Sequence, residues 1–94
     1  MAEDEERTRK YWENIARIER EEKLDRGIES VWHAYKYLAH VSDRESLEGK
    51  EFMRLRDYYR DLRWRKYSLS REEEDRLIEE CPKIVERLER EYGL

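Results

Sequence analysis

Three groups of side chains in this sequence have types and spacings that could do chemistry. His33 and His40 stand seven residues apart, with Glu29 four before His33. On a helix all three project to one side, and imidazole with carboxylate is a metal-ligating set. A metal site needs three or more converging ligands with outer support, and nothing in the sequence nominates the remainder. Solvated surface histidines are the preferred reading, and no metal or other cofactor is expected. Cys81 is the single thiol. It falls within an apolar stripe, and Glu79 and Glu80 beside it would raise a thiol pKa, the wrong direction for a nucleophile. It reads as core.

The third group is the stretch KEFMRLRDYYRDLRWRKY, from Lys50 to Tyr67. Projected at about 100° per residue, it resolves into three faces. Phe52, Leu55, Tyr59 and Leu62 form a core face, with Tyr58 at its edge. Arg54, Asp57, Asp61 and Arg65 form a polar face whose charges pair at i, i+3 and i, i+4 spacing. Between them lies a face of Met53, Arg56, Arg60, Arg63, Trp64 and Tyr67. It could be covered by the first helical segment, its arginines paired with glutamates of the outer helices. It could bind protein, because Trp, Tyr, Met and Arg are enriched where partners dock. Or it could grip nucleic acid, with arginine on phosphate and aromatics on bases. The chain's net charge of −4 speaks against the last.

No phosphate-cradling glycine loop, HExxH or nucleophile elbow is present. The apolar stripes of the second and fourth segments carry no cation that could clamp an acidic substrate. The chain therefore reads as non-enzymatic, with no small-molecule substrate expected.

The elements that must position these groups are helices. Only one Pro and three Gly interrupt 94 residues, and apolar residues recur every three or four positions. The spacing predicts an all-α fold, a single domain over 1–94 built as a small three- or four-helix bundle. A first segment, Glu3 to Lys23, has an acidic opening and a short stripe of Tyr11, Ile15 and Ile18 with Trp12 beside it. That stripe is weak, so residues 1–23 are expected to pack loosely or to pair with a second copy through Tyr11, Trp12, Ile15 and Ile18. The second segment, Asp25 to Val41, carries Leu24, Ile28, Val31, Trp32, Tyr35, Leu38 and Ala39 within about 120° of arc. The two stripes lie about 130° apart in one register. A break at Asp25-Arg26-Gly27 is preferred, with glycine as the stop, over one long helix serving two environments. A third segment runs from a cap at Ser42 or Ser46 to Tyr67. The fourth opens on a Ser70–Glu73 capping box and carries Leu77, Ile78, Cys81, Ile84, Val85, Leu88 and Tyr92 to a stop at Gly93. Pro82 inside it predicts a kink.

Composition bounds the rest. Ile, Leu, Val and Phe number eighteen, so the eleven aromatics are expected to supply the missing core area. Charged residues make up 49% of the chain, with no Gln and a single Asn, a thermophile-like balance. One cysteine, no leader-like opening and no apolar run long enough to span a bilayer point to a soluble cytoplasmic protein without membrane partners. The expectation is a helical interaction or regulatory protein that binds another protein or itself. Nucleic-acid binding by Lys50–Tyr67 is the alternative.

Overall fold

A computed structural model describes residues 2–94. Its elements are α1 (Ala2–Val41), α2 (Leu47–Arg65), a 3-10 turn at Lys66–Ser68, and α3 (Arg71–Tyr92). The all-α reading holds, with three helices packed together. No helix among the described residues is long and apolar enough to cross a membrane.

The break expected at Asp25–Gly27 does not occur, because α1 is one 40-residue helix. Gly27 has a different task. A Cβ there would lie 3.0 Å from Cys81 Cβ, so its missing side chain lets α3 approach α1 closely. Interior glycine costs a helix about 1 kcal/mol relative to alanine.

At about 1.5 Å per residue, α1 is about 60 Å long, and α2 and α3 are about half that. The molecule accordingly measures 66 × 26 × 18 Å. After Val41 the chain turns back. Ser46 caps α2, its Oγ accepting from Gly49 N at 2.9 Å and donating to Asp43 O at 2.6 Å. The cap is thus Ser46 and not Ser42, whose N–H still donates to Leu38 O. The turn is so tight that a Cβ on Gly49 would stand 2.0 Å from Asp43 O.

α2 runs antiparallel to α1 as far as Asp25, which holds Lys66 Nζ at 2.8 Å. α3 starts beside Arg20, whose guanidinium reaches Asp75 at 2.5 Å and Glu74 at 3.7 Å. Its Ser70–Glu73 capping box forms as expected, with Glu73 N donating to Ser70 Oγ at 3.1 Å and Ser70 N to Glu73 Oε1 at 3.3 Å. α3 continues as one helix through Pro82, and the kink expected there is not confirmed. It ends at Gly93, which takes the left-handed conformation at φ 68°.

α1 is the central helix, packed on both others. α2 and α3 meet through long side chains such as Phe52 and Tyr92, whose ring centroids are 5.4 Å apart. Among the described residues α2 makes no ion pair to α3, and its one ion pair to α1 is Arg63 with Glu29. The core comprises Leu24, Ile28, Val31, Tyr35, Leu38 and Ala39 of α1, Phe52, Tyr59 and Leu62 of α2, and Leu77, Cys81 and Leu88 of α3. Tyr35 stacks on Tyr59 at 5.9 Å and faces Phe52 at 6.2 Å. Of the aromatics, however, only Tyr35, Phe52 and Tyr59 are buried. The aromatic surplus lies mainly outside the core.

Candidate functional site

The six residues of the contested α2 face do not form one site. Met53 is half-buried against the core, and Arg56 lies near it, bonded to Asp57 Oδ1 at 3.0 Å. Both line a shallow depression of about 670 Å³ near the α1–α2 hairpin, together with His33, Lys36, His40 and Arg44. Arg60 lies further along α2 between Asp57 at 3.7 Å and Asp61 at 3.8 Å. The pairing on α2 differs from the spacing-based expectation: Arg54 bonds Glu51, not Asp57, and Asp61 takes Arg60, not Arg65. The hydrogen bond from Arg54 holds the Glu51 carboxyl below the usual range.

Arg63, Trp64 and Tyr67 gather at the other end of α2. Arg63 reaches back to α1, where Glu29 Oε1 is 3.1 Å away, and its guanidinium lies 4.8 Å from the Trp32 ring centroid. Lys36 covers the same ring at 5.0 Å. Trp32 is therefore a half-buried platform between two cations, rather than the core residue its place in the stripe implied. The Trp32–Lys36 contact has i, i+4 spacing; the reach of Arg63 across to it had no sequence signal. Lys66, gripped by Asp25, has its pKa raised by that bond and lies 5.2 Å from the Tyr67 ring centroid. Trp64 and Tyr67 themselves point to solvent, 81% and 87% exposed. They border a cleft of about 240 Å³ whose other walls are Asp25, Ile28, Glu29, Arg63 and Lys66. The first segment does not cover Trp64, which removes the reading of this end of the face as internal packing.

Residues 3–19 of α1 extend past the bundle. Tyr11 and Trp12 are 58% and 62% exposed, Ile18 is exposed, and Ile15 is half-buried. Tyr11 and Trp12 meet edge to face at 5.3 Å, and no other aromatic ring packs on them. Taking Ile28 as zero, Tyr11 and Ile18 fall at about 100° and 80° around the helix axis, and Ile15 at about 140°. Asp25 and Glu29, which hold Lys66 and Arg63, fall at about 60° and 100°. The arm's stripe and the exposed rings at the end of α2 thus share one side of the molecule.

His33 and His40 also line the hairpin depression, and Cys81 lies in the core. His33 leans on Trp32 with centroids 4.7 Å apart, and Glu29 is engaged by Arg63. Among the described residues no group of three or more His, Cys, Asp or Glu could hold a metal ion. Cys81 is fully buried, and burial followed by the charge of Glu80 pushes its thiol up to about 11. No charged side chain among the described residues is buried. No family model matches the chain, and neither a curated relative nor a similar solved structure is found.

Proposed function

We propose that this is a small non-enzymatic interaction protein that binds protein through the exposed aromatic edge where α1 leaves the bundle. One observation carries this reading: Trp64 and Tyr67, at 81% and 87% exposure, flank paired cations on the side that also bears Tyr11 and Ile18. A chain with so small a core would gain by burying these rings at home. Rings of this size grouped on one side with arginine are the composition of a docking patch. The intramolecular pairs Arg63–Glu29 and Lys66–Asp25 hold α2's end in place, so the rings need little ordering on binding.

A second reading has its own observation. The depression at the hairpin end is lined by His33, Lys36, His40, Arg44 and Arg56 with no carboxylate among its lining residues. That is a local basic footprint on an acidic chain, the form a nucleic-acid contact would take here.

A photo-crosslinking residue placed at position 67 in cells that make the protein separates the two. Protein adducts absent from a control at position 79, on the outer face of α3, support the first reading. Nucleic-acid adducts at position 56 with none of protein at position 67 transfer the assignment to the second. Identical adducts at positions 67 and 79 defeat the aromatic-edge assignment.

A further inference from the structure

Resting on the protein-binding reading, we propose that the occupant of this edge is a second copy of the chain, docked antiparallel through the α1 arms. The arm ends in four carboxylates, Glu3, Asp4, Glu5 and Glu6, while α2 and the turn after it end in Arg60, Arg63, Arg65 and Lys66. Within one molecule these groups cannot meet, because Lys66 sits at the level of Asp25 and the tip lies about 30 Å farther along the helix. Two arms crossing antiparallel near Ile15 bring them together twice. Tyr11 of one copy then lies against Ile18 of the other. The acidic tip of each reaches the level of residues 23–26 in its mate, where Arg65, Lys66 and Tyr67 close α2. At that level of α1, Arg26 is exposed about 20° from Ile15 around the axis, and among the described residues it has no carboxylate within ion-pair distance, whereas Arg63 and Lys66 are already held. It is a cation available to a visiting tip. A two-fold pairing of this kind closes on itself and uses the same patch on both copies.

Area decides how much of the edge is required. The exposed parts of Tyr11, Ile15 and Ile18 give about 500 Å² across two copies, well short of the ~1,200 Å² at the lower end of specific interfaces. Adding Trp64 and Tyr67 raises this to about 1,300 Å², just within the ordinary range. The arm stripe and the α2 edge are therefore two parts of one interface.

Sedimentation of the full chain from about 1 to 200 µM at ~50 mM salt tests this. The expected species is a dimer. Ile15→Glu should shift its dissociation constant by about two orders of magnitude, with the far-ultraviolet dichroism unchanged. Asp4→Arg and Arg26→Glu should each weaken it about fivefold, and the double variant should recover much of the loss. A monomer throughout, or a dimer indifferent to Ile15→Glu, overturns the proposal, and a double variant no better than the singles overturns the antiparallel arrangement. A monomer that still gives a foreign protein adduct at position 67 removes the second copy and leaves the interaction reading standing.

Discussion

The two halves of α1 belong to one helix yet live in different environments. Residues 24–41 bury Leu24, Ile28, Val31, Tyr35, Leu38 and Ala39, whereas residues 3–19 leave Tyr11, Trp12 and Ile18 in solvent. The first half is helical without tertiary support. Nucleation is the expensive step of helix formation, and a helix nucleated in the bundle extends into the arm without incurring it again. Pairs at i, i+4 such as Lys10–Glu6 at 3.4 Å and Arg9–Glu13 at 3.9 Å add a few tenths of a kcal/mol each. Helicity and packing are separable, and apolar residues in an unsupported helix remain available to a partner.

The sharpest way to break this comparison is the same truncation in each half. Ile28→Ala in the bundle should lower unfolding stability by about 3 kcal/mol in denaturant titration, because the side chain is fully buried among packed neighbours. Ile18→Ala in the arm should cost under about 0.5 kcal/mol in dilute solution. Equal losses would mean the arm is packed on the bundle after all. Next in size is Gly49→Ala, which should cost about 2 kcal/mol, since its Cβ would collide with the Asp43 carbonyl, and the loss should fall on the bundle alone.

The third test is alkaline. Burial raises the Cys81 thiol from 9.0 to about 11, and the Tyr59 phenol is raised chiefly by burial as well. Above pH 9 the unfolded chain releases protons that the folded one retains. The stability from these groups is complete below pH 9 and falls as pH rises through about 11 for Cys81, continuing higher for Tyr59. Thermal melts should show this decline, and Cys81→Ala should flatten its pH 9 to 11 portion.

Much of the bundle was legible because its cues are local. The α3 stripe, the Ser70–Glu73 box, the Gly93 stop and the core face of Phe52, Tyr59 and Leu62 follow from periodicity and capping chemistry within a few residues. Gly27 was misread because glycine serves both as a helix stop and as a close-approach residue. Only Cys81, fifty-four positions away, distinguishes the two. Ser42 and Ser46 both had a plausible cap spacing, and the choice fell to the one whose turn fits the Asp43 carbonyl and Gly49.

The contested face shows the same division. Its alternation of Arg with Met, Trp and Tyr was visible at once, but its fate depended on which helix lies against it. α1 took Met53 into the packing and drew Arg63 and Lys66 to Glu29 and Asp25, leaving Trp64 and Tyr67 uncovered. By itself the sequence determined that the chain is helical, where α3 begins and ends, and which stripe of each later helix is apolar, since these depend on neighbours three or four residues apart. The tertiary structure alone decided that α1 is unbroken, that it stands between α2 and α3, and that its first half and the end of α2 face solvent together. Those outcomes depend on contacts between residues tens of positions apart, and helical periodicity carries no record of them.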